Sequence, residues 1–187
     1  TGEDVHSWDG YLRAHRNRRD FFKSLGATST DHGHESALTA DLSRAEAQRL
    51  FAKILGGSYS AQEAALFRGQ VLTEMAAMSL DDGLVMQLHP GCYRNHNPRL
   101  FARHGRNVGA DLPLPTEYVH ALKPLLDRFG NEPDFRFILF TLDESTYSRE
   151  LGPMAGHYPC LFLGPAWWFH DAPEGMWRFR EQTLSTA

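Results

Sequence analysis

The sequence predicts an α/β fold in which successive βα units build a parallel sheet, and three observations carry that prediction. Short strand-like runs, at 26–34 rich in small and β-branched residues and at 84–89, 135–142 and 157–164 apolar, each lead into a polar loop and then a helical pattern. Parallel strands lie under helices on the faces of their sheet, so they read as compact apolar runs rather than long alternations. The helical stretches between them carry their own start and stop signals. Finally, the polar residues collect at the C-terminal ends of the runs: Asp31 and His32, then His89 and Arg94, then Asp143, then Trp167 and Trp168. In parallel α/β sheets those ends are where ligands bind.

Residues 7–25 read as a helix capped by Ser7 and ended by Gly26, with Trp8, Tyr11, Leu12, Phe22 and Leu25 as its apolar stripe. Arg13, Arg16, Arg18 and Arg19 on that helix read as a solvated face. The run from Gly26 to His34 reads as a short strand running into a loop that carries Asp31, His32 and His34. These residues suit a site, and equally a capped loop with surface histidines. Ser43-x-x-Glu46 and Ser60-x-x-Glu63 are capping boxes, each opening a helix. The first helix carries Leu50, Phe51, Ile54 and Leu55 up to Gly56-Gly57; the second carries Phe67, Val71 and Met75 with Leu72 and Met78. Both stripes are core packing by their period.

An Asp81-Asp82-Gly83 turn then leads into Leu84-Val-Met-Gln-Leu88, a buried strand stopped by Pro90-Gly91. At its end stands His89, followed by Arg94, Asn95, His96 and Asn97. An imidazole that can bind metal, a fixed cation and two amides suit a polyhydroxylated or anionic small molecule. Residues 90–114 read as a long polar loop with Arg94, Arg99, Arg103 and Arg106, and loops of that length usually serve a site. Thr116 reads as the cap of a helix carrying Tyr118, Leu122, Leu125, Leu126 and Phe129, with Pro124 as an objection inside it. A strand over 135–142 ends at Asp143 and Glu144, and a short helix around 145–152 is weakly indicated. The last strand, 157–164, runs into Pro165-Ala-Trp-Trp-Phe-His-Asp171 and a helix opened by Asp171-Ala-Pro-Glu174. The adjacent Trp167 and Trp168 suit either plain packing or the wall of a pocket.

The totals exclude several classes. The chain has 187 residues, 42% hydrophobic and 12% aromatic, enough for a sizeable core and unlike a disordered chain. A net charge of −4 with interspersed signs argues against nucleic acid as a partner. No apolar stretch approaches the roughly 20 residues of a membrane span, and the polar start shows no signal peptide, so the expected compartment is the cytoplasm. Two cysteines make neither a disulfide framework nor a structural zinc site, and ten histidines raise the prior for metal or proton chemistry modestly.

Three segments together resemble the uronate (glucuronate) isomerase family of the amidohydrolase superfamily, metal-dependent (β/α)8 TIM barrels. They are Thr30-Asp-His-Gly33, Met86-Gln-Leu-His-Pro-Gly-Cys-Tyr-Arg-Asn-His-Asn97 and Gly164-Pro-Ala-Trp-Trp-Phe-His-Asp-Ala-Pro-Glu-Gly-Met176, and the likeness runs collinearly over roughly residues 7 to 181. The resemblance implies conversion of D-glucuronate to D-fructuronate and D-galacturonate to D-tagaturonate. It implies His89, Asp31 and His32 as catalytic residues, with His89 also at or near a divalent metal, zinc or alternatively manganese. Arg94, Asn95, Trp167 and Trp168 would then bind the substrate, and a homo-oligomer is expected.

Two pieces of the family pattern are missing. No His-x-His pair stands upstream of residue 30, although His32-Gly-His34 has that spacing, and no Asp-Ser-Arg segment follows the last strand. The expectation is therefore that residues 1–187 form one partial barrel domain holding strands four to seven of eight, with most metal ligands outside this chain and no activity in isolation. A hydrolase of the same superfamily, and a chain that only binds or assembles, remain as alternatives.

Overall fold

The computed structural model describes residues 2–184. In chain order the elements are α1 (Trp8–Ser24), β1 (Ser29–His34), α2 (Arg44–Leu55), α3 (Ala61–Asp82), β2 (Val85–Pro90), β3 (Cys92–Tyr93), α4 (Pro98–His104), β4 (Leu112–Pro113), α5 (Lys123–Phe129), β5 (Phe137–Phe140), α6 (Gly152–His157), β6 (Leu161–Gly164) and α7 (Pro173–Leu184). Strands β1, β2, β5 and β6 form one sheet in that order, every neighbouring pair parallel. Strands β3 and β4 form a separate antiparallel ribbon. The four parallel strands, joined by helical crossovers, are the βα units of a partial TIM barrel.

The register assigns the two faces. Ser29 pairs with Val85, Met86 with Phe137 and Phe137 with Leu161, so residues in step across the sheet share a face. Met86, Leu88, Phe137, Leu139 and Leu161 lie on the helix side and are buried. They pack against Leu72, Met75 and Met78 of α3 and Leu122, Leu125 and Leu126 around α5 in the main core. The opposite face carries Asp31, Gln87, His89, Ile138, Phe140 and Phe162. It is far more open, with Phe162 at 47% exposure. In a closed barrel this face would line the interior.

The local signals explain the helices. Ser43 and Ser60 each accept from the backbone N–H three residues on, while Glu46 and Glu63 accept from the Ser43 and Ser60 backbone N–H, so both capping boxes form. Ser7 caps α1 by accepting from the Gly10 N–H. Gly83 ends α3 in the left-handed region at φ 76°, a conformation costly for any residue with a Cβ.

The structure also corrects the sequence reading in several places. Asp81 and Asp82 belong to the last turn of α3, not to a free turn. Arg19 is not solvated: it is 6% exposed and donates to Asp82 (2.6 and 2.9 Å) and Ser79 (2.9 Å). The apolar stripe of α1 packs only at its start, because Phe22 and Leu25 are 49% and 70% exposed. The 90–114 stretch is an excursion with its own structure, β3, α4 and β4, closed at its base by the ribbon. Helix α5 starts at Lys123 rather than near Thr116, which places Pro124 in its first turn, where a missing N–H costs nothing. The weakly indicated helix after β5 is continuous: a 3-10 turn Glu144–Thr146, a π turn Tyr147–Leu151, then α6.

Candidate active site

Strands β1 and β2 deliver the two central groups. Asp31 and His89 share the open face, two steps apart along the register, and His89 Nδ1 lies 2.5 Å from Asp31 Oδ1. A carboxylate only accepts, so Nδ1–H is the donor and Nε2 keeps its lone pair. Among the described residues the hydrogen bonds of the imidazole engage Nδ1 alone. Burial draws the His89 pKa below its ordinary value, Asp31 draws it back up, and Arg94 adds to the lowering. The net direction is downward, so the ring is neutral at neutral pH.

Two aromatic rings pack against the imidazole. Phe140 of β5 stacks under it at 4.2 Å and 14°, and Trp167 lies 4.6 Å away. Phe140 reaches that position because Gly164 on β6 has no side chain; a Cβ there would come 2.5 Å from the phenyl ring. Trp167 opens the 3-10 turn Trp167–His170 with φ 41°, an unusual conformation for an aromatic residue. The Arg94 guanidinium lies 5.5 Å from the Trp167 ring and donates to Asp111 Oδ2 at 2.9 Å. A guanidinium has five donors, and this contact leaves others for a ligand.

Asp31, Gly33, His89, Arg94, Trp167 and Trp168 line one cleft of about 200 Å³. Five of the expected site residues therefore meet at one place, on the C-terminal rim of the parallel strands. Two do not. His32 follows Asp31 in the same strand, so it faces the helix layer, where its Nε2 lies 3.1 Å from Thr30 Oγ1. Asn95 adopts φ 56° and spends its backbone N–H on Asp111, forming the turn after β3 rather than a wall of the cleft.

Sequence reasoning missed Phe140 and Asp111. Phe140 carried no signal, since an apolar residue in a strand reads as core. Asp111 had one: it is the lone carboxylate in 83–114, a stretch with four arginines, and it is 8% exposed. Among the described residues no three His, Cys, Asp or Glu side chains converge as a metal would require. His89 and Asp31 supply two donors, short of the three or four protein ligands of a typical site.

The comparisons with known proteins place the chain in a family. A family model described as glucuronate isomerase matches residues 1–186. A uronate isomerase from Xanthomonas campestris pv. campestris (strain B100) is 74% identical over all of this chain, which covers 40% of that protein. One from Phenylobacterium zucineum (strain HLK1) is 68% identical, again over the whole chain and 39% of the relative. The crystal structure of a glucuronate isomerase from Caulobacter crescentus superposes with a TM-score of 0.95 and 64% identity, over 100% of this chain and 39% of that one. A Thermotoga maritima uronate isomerase superposes at 0.89 with 24% identity, over 99% of this chain and 41% of that one, a likeness of fold. The chain thus spans about two fifths of the length of the relatives it matches.

Proposed function

Since this chain belongs to the glucuronate isomerase family, we propose that the full protein containing it interconverts the aldose and ketose forms of hexuronates. The substrates are D-glucuronate, giving D-fructuronate, and D-galacturonate, giving D-tagaturonate. The observation that supports this most directly is the Asp31–His89 pair beside Arg94 in one cleft. Aldose–ketose exchange needs a group that takes a proton at one carbon and returns it at the next. His89 suits that role because it is neutral, and Asp31 holds its Nδ1 proton and so fixes the tautomer that offers Nε2 to the substrate. Arg94 supplies a fixed cation for the sugar-acid carboxylate, and Trp167 and Trp168 give the sugar an apolar wall.

A divalent ion, zinc first and manganese second, would polarise the carbonyl and hydroxyl oxygens as a Lewis acid. His89 Nε2 would be its candidate ligand in this chain, as the alternative to the proton-transfer role because the ring has one lone pair, and the rest of the coordination would come from the remaining length of the protein. The proposal carries His32 and Asn95 only in supporting positions, one beneath the sheet and one in the β3 turn. It places the protein in the cytoplasm as a homo-oligomer, acting on a small molecule rather than on nucleic acid or a membrane.

The test is turnover of D-glucuronate by the full-length protein and its H89N variant, read as ketose formed. The loss expected from removing a proton-transfer group is about 10²–10⁴-fold in kcat. Wild-type turnover by H89N would remove His89 from the chemistry, and a full-length protein inert on both uronates would remove the substrate class.

A further inference from the structure

The three-residue cluster Glu144, His170 and Arg178 lies behind the tryptophan turn and touches no part of the cleft. His170 is 3% exposed, with Nε2 2.9 Å from Glu144 Oε1. Arg178 of α7 donates to both carboxylate oxygens, from Nε at 2.8 Å and from Nη2 at 3.0 Å. The Arg178 hydrogen bonds and the His170 contact hold the Glu144 carboxyl down at about 2, against the opposing effect of burial. Glu144 is therefore an acceptor, and His170 Nε2–H must be the donor. The contacts tie together the loop after β5, the turn after β6, and α7.

Two features of this cluster are costly if packing were its whole purpose. Among the described residues His170 Nδ1 is buried without a partner, and an orphaned polar atom costs about 1–3 kcal/mol. The turn it closes begins with Trp167 at φ 41°, and such strain persists only where the surroundings over-determine it. Helix α7 presses on the turn from behind at a glycine, since a Cβ on Gly175 would stand 3.0 Å from His170 Cα. The front of the same turn carries the indole that meets His89 at 4.6 Å and Arg94 at 5.5 Å.

We infer that His170, anchored by Glu144 and Arg178, is a positioning residue that holds the strained Trp167–His170 turn so that the Trp167 indole packs on the His89 imidazole. The inference deepens the proposed isomerase reading and rests on it for the kinetic part only. Released from Glu144, the turn relaxes toward ordinary backbone angles and Trp167 leaves the imidazole. The orientation of His89 then rests on Asp31 and Phe140 alone.

The experiment uses the full-length protein, with the His ring carbons labelled, and the variants H170F, E144A and E144Q. The His89 ring proton lies within the ring currents of Trp167 and Phe140, so its resonance at fixed pH reports the stacking directly. In H170F and E144A this resonance should move while that of His157 stays, and kcat/KM should fall about ten- to a hundredfold, mainly in kcat, as expected for a misplacement near 1 Å. E144Q keeps an acceptor oxygen and should recover part of both. Lower melting temperatures with an unmoved His89 resonance and unchanged kcat would show a merely structural cluster and overturn the inference. If H170F does not fold, E144A decides by the same two readouts. A moved resonance in a protein inert on uronates would keep the positioning role and reject the substrate.

Discussion

His32 and His89 stand on neighbouring strands of one sheet and differ in which face they take. The side-chain period of a strand is two, so the one-residue step from Asp31 to His32 moves the ring from the cleft to the underside. There, burial lowers its pKa to about 4, with the nearby charges of His34 and Arg19 adding to the effect. A histidine kept neutral in the fold, with an ordinary pKa near 6.5 once unfolded, favours the folded state fully above about pH 6.5. That contribution is lost as the pH falls from 6.5 toward 4, because the unfolded chain binds the proton first. H32Q should therefore flatten the stability profile between pH 6.5 and 4 without shifting it above pH 7, measured by urea unfolding at a series of pH values. An unaltered slope in H32Q would mean that another group dominates that window. The same reasoning shows why the sequence grouped this residue with Asp31: adjacent polar residues at a strand end read as a cluster, and only the register separates them.

At the scale of elements, the readable parts were those set by local chemistry. Both capping boxes and the Ser7 cap follow from residues within a turn of each other, the four strands from compact runs bounded by turns and polar loops, and the structure has all of them. What escaped was set by distant partners. Arg19 looked like one of four solvated arginines because its carboxylate, Asp82, stands 63 residues away at the end of α3. The excursion 90–114 looked like a loop because its pairing, Cys92 with Pro113 and Tyr93 with Leu112, joins two-residue strands too short for any pattern. The Arg19–Asp82 pair has consequences for stability. Its side chains are 7% and 15% exposed, so water screens it little. Removing one partner of such a pair leaves the other charge uncompensated, at a cost of about 3–5 kcal/mol. R19M should lose stability on that scale in urea unfolding, and the double variant with D82N should recover part of it. A loss below about 1 kcal/mol would place this pair with ordinary surface ion pairs.

For the whole molecule, the decisive fact is that among the described residues the sheet closes on neither side. Among them, strand β1 pairs only with β2, and β6 only with β5, so both outer strands present unpaired backbone groups. The face between them holds Ile138, Phe140 and Phe162, which in a barrel would meet the opposite strands. The relatives are more than twice as long as this chain, and their remaining length is what would complete such a barrel. Studied alone, residues 1–187 thus combine two edges ready to pair with an apolar face ready to bury, which is the usual route to self-association. Pairing edge to edge with a second copy would join two four-stranded sheets and cover both faces at once. The isolated chain should accordingly sediment as a dimer or larger species, with the monomer fraction rising on dilution. It should also show no uronate turnover, since among the described residues the cleft holds two metal-capable donors. A compact monomer at every concentration in sedimentation velocity would mean that the edges are protected in some other way. Turnover by that monomer would mean that His89, Asp31 and Arg94 suffice for the chemistry.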